Sequence, residues 1–140
     1  MGLLIAAARR QMKRAVTARV QVHGLTAQQF WALINIDEAD GPSLGEIAAR
    51  LRMDPPTASR AVTQLLRRKL VKAEGDRGDR RRLRLRLTGA GRAKIVALRA
   101  LAAELRGSAV HGLTQEEEEA LRALLKKILS NLDRLIEVAK

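Results

Sequence analysis

The chain has 140 residues, 46% of them hydrophobic, which is enough for one domain with a buried core. It contains no cysteine, which excludes disulfides, thiolate metal sites and cysteine redox sensing. The mildly apolar start runs into Arg9 and Arg10, so we expect neither a signal peptide nor a membrane span, and we predict a cytoplasmic protein.

Two helices are predicted in the first 40 residues. Residues 3–22 carry apolar side chains at helical spacing between arginines, which indicates a helix with one apolar face. A basic amphipathic helix lying on a membrane is the alternative, but no bulky aromatic side chain anchors it. Thr26 and Gln29 form a capping box for the second helix, and Leu25 and Phe30 a hydrophobic staple, before the turn at residues 40–42.

Residues 43–69 have the pattern of a helix, a tight turn and a second helix. Ser43 and Glu46 form a capping box, whereas Asp54 is an N-cap that precedes Pro55 at the first helical position. The second helix has a small apolar stripe made of Ala58, Ala61, Val62, Leu65 and Leu66, and a polar side made of Pro56, Thr57, Arg60, Thr63, Gln64 and Arg67. The side chains on that polar side are suited to contact with another molecule.

A basic hairpin follows at residues 70–88. Its second strand alternates Leu83, Leu85 and Leu87 with three arginines, so we expect the leucines to face the core and the arginines to face outward. Residues 50–94 contain 15 Lys and Arg against 4 Asp and Glu, a net charge of +11 out of the chain's +12. This concentration favours a polyanionic partner over an ordinary solvated charge run.

Two further helices are predicted at the C-terminal end. The first begins near residue 89, carries a coiled-coil-like apolar seam and is expected to be interrupted at Gly107. The last is capped by Thr114 and Glu117, and its apolar stripe from Leu121 to Ile136 is longer than a core of this size can cover. A homodimer through the first and last helices is therefore predicted, with an intramolecular three-helix layer as the alternative.

These elements predict a mainly α fold with a small β-hairpin wing, a winged helix-turn-helix with N- and C-terminal dimerisation helices. The segments at residues 24–30, 44–62 and 79–91 resemble the MarR family of bacterial transcriptional regulators. The resemblance implies a DNA-binding domain at residues 25–88 and a helical dimerisation region at residues 1–24 and 89–140. It also implies a recognition helix at residues 55–69 and wing arginines that enter the minor groove.

Carrying the family's roles onto this chain gives candidate DNA contacts. On the recognition helix, Thr57 and Ser59 would contact phosphate or position the helix, Thr63 would lie in the major groove, and Arg60 and Gln64 are able to pair with base edges. In the wing, Asp79 would pair with Arg81 and orient it, while Arg77, Arg80 and Arg82 would reach the sugar-phosphate backbone or minor groove. A solvated role is the alternative for any single arginine.

The resembling family's effectors are small aromatic or other lipophilic acids bound between the dimerisation and DNA-binding regions. The candidate pocket residues here are Met12, Val16, Arg19, His23, Phe30, Trp31 and Ile34. The alternative is that these residues are simply core. No motif for catalysis, a cofactor or a metal is present, and we interpret His23 and His111 as cations at helix ends.

The sequence thus predicts a homodimeric, sequence-specific transcriptional regulator, a repressor, that binds double-stranded DNA at a palindromic operator. An effector-free architectural DNA-binding protein and a module for acidic proteins are the alternatives. No enzymatic activity is predicted.

Overall fold

The computed structural model describes all residues from 1 to 140 and contains six α-helices and one antiparallel hairpin. The helices are α1 (Gly2–Val20), α2 (Ala27–Glu38), α3 (Leu44–Leu51), α4 (Pro55–Arg67), α5 (Gly89–Ala109) and α6 (Gln115–Val138), and the strands are β1 (Val71–Gly75) and β2 (Leu83–Leu87). A short 3₁₀ turn, Gln21–His23, follows α1. The predicted fold class, mainly α with a hairpin wing, is confirmed.

The chain forms two compact units, residues 1–105 and residues 106–140. The core of the first unit centres on α2, which buries eight of its residues, among them Phe30 and Leu33. Ile47 from α3, Leu65 from α4 and Leu98 from α5 also belong to its most deeply buried part. None of the helices is long and apolar enough to cross a membrane.

Short-range capping determines where the helices begin. The capping boxes predicted from Thr26 with Gln29, Ser43 with Glu46 and Thr114 with Glu117 are all confirmed. In each box two backbone N–H groups find an acceptor: one donates to the hydroxyl oxygen and the other to the side-chain oxygen of the residue three positions later. The turn from α2 to α3 passes through Gly41, whose φ of +63° is accessible to glycine without steric cost.

The wing is a regular two-stranded ladder in which Val71 pairs with Leu87 and Gly75 pairs with Leu83. Leu85 and Leu87 are buried, as predicted, but Leu83 is 57% exposed, so the prediction that all three leucines face the core is wrong. Leu83 is exposed because it pairs with Gly75 at the distal end of the ladder, next to the loop.

The prediction that Gly107 interrupts the long helix is also wrong. The helix α5 continues through this residue to Ala109 and the chain turns at Gly112, whose φ is +86°. One glycine in a helix costs only about 1 kcal/mol relative to alanine, which the neighbouring residues can offset.

In the second unit, α6 is about 36 Å long at about 1.5 Å per residue, and none of its 24 residues is buried. From Leu121 to Ile136 its leucines and Ile136 are 36–66% exposed, and Ile128 is half-buried. The apolar stripe predicted from the sequence is therefore present and uncovered in the single chain.

Candidate nucleic-acid interface

The helix α4 presents a polar face because its other face is closely packed. Ala58, Ala61, Val62 and Leu65 are at most 4% exposed, so small side chains seat the helix against the core. The exposed face carries the predicted candidates Ser59, Arg60, Thr63 and Gln64, together with Arg67. The fold thus brings four of the five recognition-helix candidates to one solvent-facing side, while the fifth, Thr57, is half-buried at the start of the helix.

The start of α4 is fixed by an acidic cap. Asp54 accepts hydrogen bonds from the backbone N–H of Thr57 at 3.1 Å and from its hydroxyl at 2.5 Å. The Thr57 hydroxyl and backbone N–H hold the pKa of Asp54 below its ordinary value. Because the Thr57 hydroxyl donates to Asp54 and lies 3.4 Å from Arg60 Nη2, Thr57 organises its own helix terminus.

Gln64 has a partner that sequence reasoning missed. Gln29 of α2, only 6% exposed, donates from its side-chain amide to Gln64 Oε1. A capping-box residue thus reaches from the core to the exposed face of α4. The Thr26–Gln29 spacing predicts the capping box, in which Gln29 accepts a hydrogen bond. It does not predict the hydrogen bond from the Gln29 amide nitrogen to Gln64, because that contact depends on tertiary packing.

The tip of the wing carries guanidinium groups without carboxylate partners. Arg77, Arg80 and Arg81 are exposed in the loop between β1 and β2, and none of them forms an ion pair. Asp79 accepts a hydrogen bond from the backbone N–H of Arg81 at 2.9 Å. Its observed contact with Arg81 is thus to the main chain, where it shapes the loop, and the predicted orienting of the guanidinium remains a hypothesis.

Arg82 lies in a different environment from those three arginines. It is half-buried and forms an ion pair with Glu46, the capping-box carboxylate of α3, while its Nε lies 3.8 Å from Asp76 Oδ2. Glu46 Oε2 simultaneously accepts the backbone N–H of Ser43 at 3.2 Å. Arg82 therefore joins the wing to the first helix of the helix-turn-helix.

Two more wing arginines are paired in the same manner. Arg84 Nε lies 3.2 Å from Asp76 Oδ2, and Arg86 contacts Asp40 at 2.9 Å and Glu74 at 3.1 Å. The backbone N–H of Gly78 and then the Arg84 guanidinium hold the pKa of Asp76 below its ordinary value. Hydrogen bonding from Arg86 does the same to Asp40. These carboxylates are ionised at neutral pH, so the ion pairs along the wing are maintained.

The predicted pocket residues divide between core and surface. Val16, Phe30 and Ile34 lie in the hydrophobic core, with Trp31 packed against it and its ring 4.8 Å from that of Phe30. The remaining candidates lie nearer the surface: Met12 is 55% exposed, Arg19 pairs with Glu104 at 2.6 Å, and His23 is half-buried.

A cleft of about 520 Å³ opens elsewhere, between the turn after α1 and the C-terminal half of α4. Its lining residues are Gln21, Gly24, Leu25, Thr26, Gln29, Gln64, Arg67 and Arg68. None of them belongs to the predicted pocket. The effector pocket therefore stays a prediction.

A helix-turn-helix followed by a basic two-stranded wing defines the chain as a winged helix-turn-helix protein. Residues 23–82 match the family model described as MarR family. The chain is 31% identical to a probable transcriptional regulator from Pseudomonas aeruginosa, whose crystal structure superposes with a TM-score of 0.77 over 91% of this chain and 96% of that one. The chain belongs to the MarR family of transcriptional regulators.

Two further solved structures are informative because of what they contain. The chain is 28% identical to S. aureus MepR, whose structure is a DNA complex, over 92% of this chain and 94% of that one, with a TM-score of 0.83. It is also 28% identical to Bordetella bronchiseptica BpsR, a protein whose DNA binding is regulated by 6-hydroxynicotinic acid, over 91% and 96% of the two chains, with a TM-score of 0.78.

Proposed function

We propose that this protein is a homodimeric repressor that binds a palindromic operator in double-stranded DNA. The observation that carries the proposal is the exposed polar face of α4, whose opposite face is buried against the core. Three arginines at the wing tip that form no ion pair accompany it. In this arrangement α4 enters the major groove, where side chains can distinguish all four base pairs. The DNA complex of the related MepR supports this assignment.

Within this function, the wing arginines have two different roles. We assign phosphate or minor-groove contact to Arg77, Arg80 and Arg81, because their guanidinium groups are exposed and unpaired. Arg82, which the family resemblance places among the DNA contacts, is already engaged by Glu46 and Asp76. Its principal role in our proposal is to hold the wing against α3.

Salt dependence separates these two roles. Each phosphate neutralised contributes about −0.9 to the slope of log affinity against log salt concentration. We expect Arg81→Ala and Arg80→Ala each to reduce the magnitude of that slope by roughly this amount, because each removes a phosphate contact. Arg82→Ala should weaken binding with the slope unchanged, as measured by fluorescence anisotropy of a labelled operator between low and physiological salt.

Glu46→Gln is the matched control for Arg82→Ala. If Arg82 braces the wing, removing the carboxylate should weaken DNA binding as Arg82→Ala does. If Arg82 instead contacts phosphate, freeing it from Glu46 should strengthen binding, and Arg82→Ala should reduce the slope as Arg81→Ala does. Either of the latter results contradicts the bracing role.

We further propose that a small aromatic or lipophilic acid releases the operator, acting at the pocket predicted from Met12 to Ile34. The regulation of the related BpsR by 6-hydroxynicotinic acid supports an acid of this class. A ligand shifts DNA binding only by its differential affinity for the free and bound conformations. Trp31, the single tryptophan, provides the readout because its ring packs against the core at the predicted pocket.

Salicylate and hydroxynicotinates, titrated into the protein–operator complex, should change tryptophan emission and operator occupancy at the same concentration. Release without a change in Trp31 emission would place the pocket elsewhere. Failure of a broad panel of acids to release DNA would favour the architectural, effector-free alternative, which would also bind unrelated DNA fragments with little discrimination.

A further inference from the structure

The orientation of the Gln64 side chain follows from a chain of hydrogen bonds that begins inside the domain. The backbone N–H of Thr26 donates to Gln29 Oε1 at 3.1 Å as half of the capping box of α2. The side-chain amide nitrogen of Gln29 then donates to Gln64 Oε1. Gln29 is 6% exposed, whereas Gln64 lies on the exposed face of α4.

Chemistry leaves one orientation for both amides. A backbone N–H can only donate, so the Gln29 atom that it contacts must be the carbonyl oxygen. The other polar atom of Gln29 is then the NH₂ group, which also only donates, and it requires an acceptor from Gln64. Gln64 therefore turns its oxygen inward to Gln29, and its NH₂ group is the end left for an outside partner.

We infer that Gln29 sets the base preference of Gln64, an inference that rests on the proposed DNA-binding function. An unconstrained glutamine pairs bidentately with adenine, accepting from N6 and donating to N7. Here the oxygen is held by Gln29, so the side chain presents donors. Guanine offers two acceptors, O6 and N7, on its major-groove edge. Gln64 consequently favours guanine over adenine at the position it reads, and Gln29 is a positioning residue for this preference.

Gln29→Glu tests the inference while keeping the capping box, because glutamate serves as well as glutamine at this helix position. A carboxylate has no donor, so Gln64 must turn its NH₂ group inward and present its oxygen to the DNA. We expect the preference to move from guanine to a base with a major-groove amino group, adenine or cytosine. The change in the affinity ratio should be roughly five- to a hundredfold, the range for one specific side-chain–base contact.

The measurement compares dissociation constants for four duplexes that differ at one base pair, at fixed salt concentration. The position is the one at which Gln64→Ala abolishes discrimination. In the Gln64→Ala background, Gln29→Glu should leave the four affinities equal. Glu117→Gln, the reverse exchange in the capping box of α6, is the control that should not alter base preference.

Gln29→Met provides a second variant that does not bury a carboxylate. Methionine has no N–H group to donate to the Gln64 oxygen, which is then free to face the DNA. The affinity for the guanine duplex should therefore fall and the affinity for the adenine duplex should rise. Unchanged base preference in folded Gln29→Glu or Gln29→Met protein overturns the inference and leaves the proposed function intact. A wild-type protein that binds no duplex DNA overturns both.

Discussion

Replacing Gly91 with alanine should destabilise the protein by about 3 kcal/mol or more, the upper end of the range for overpacking a closely packed site. Gly91 is buried at the start of α5, and a Cβ there would lie 2.1 Å from the carbonyl oxygen of Leu70. That oxygen cannot withdraw freely, because it accepts the backbone N–H of Thr88 at 3.1 Å. The clash would separate the wing from the helix that follows it.

Gly107→Ala is the matched control, since it makes the same exchange in the same helix. A Cβ at this residue meets no heavy atom within 4 Å. Alanine is a better helix former than glycine by about 0.5–1 kcal/mol, so this variant should be slightly more stable than wild type. Urea denaturation followed by circular dichroism measures both. Equal stability of the two variants would show that the Leu70 carbonyl is able to move.

Two glutamates on the apolar stripe of α6 should convert the proposed dimer into a monomer. Leu125 and Leu132 are 38% and 48% exposed in the single chain, so their replacement leaves the core of residues 1–105 intact. In a dimer the same side chains would be buried against the second copy, where unpaired carboxylates are costly. We expect the wild-type protein to sediment at twice 15.4 kDa and Leu125→Glu with Leu132→Glu at 15.4 kDa.

The control for this experiment introduces the same two glutamates on the opposite side of α6. Ala123 and Ser130 lie about 180° from the centre of the apolar stripe at about 100° per residue, and both are exposed. Ala123→Glu with Ser130→Glu should remain dimeric. A monomer has one DNA-binding domain where the dimer has two, so operator affinity should fall on the order of 100- to 10,000-fold in the leucine variant only. A monomeric wild type at micromolar concentration would contradict the proposed dimer.

The features that could be predicted from the sequence are those determined within one turn of helix or one strand. The cap at Asp54 and the three capping boxes depend on residues three positions apart, and the apolar stripe of α4 depends on the helical period. The same local rules gave wrong predictions at two residues, where the surrounding structure rather than the local sequence decides the outcome. Gly107 stays helical, and Leu83 falls beyond the core at the end of the ladder.

The partners of the wing arginines could not be predicted because they come from distant parts of the chain. Glu46 lies 36 positions before Arg82, and Asp40 lies 46 positions before Arg86. Strand alternation indicates only that these arginines share a face, whereas folding brings carboxylates of α3 and of the α2–α3 turn onto that face. The Gln29–Gln64 contact was missed for the same reason, since its two residues lie 35 positions apart.

Selection of bound sequences from a pool of random DNA duplexes tests the central claim most directly. A two-fold dimer that places one α4 in each of two major grooves should enrich a palindrome whose half-site centres are about 34–36 Å apart, one helical turn. Each enriched duplex should bind two protomers. Enrichment of no sequence would contradict a sequence-specific regulator, and enrichment of a single half-site bound by one protomer would contradict the dimeric reading of the operator.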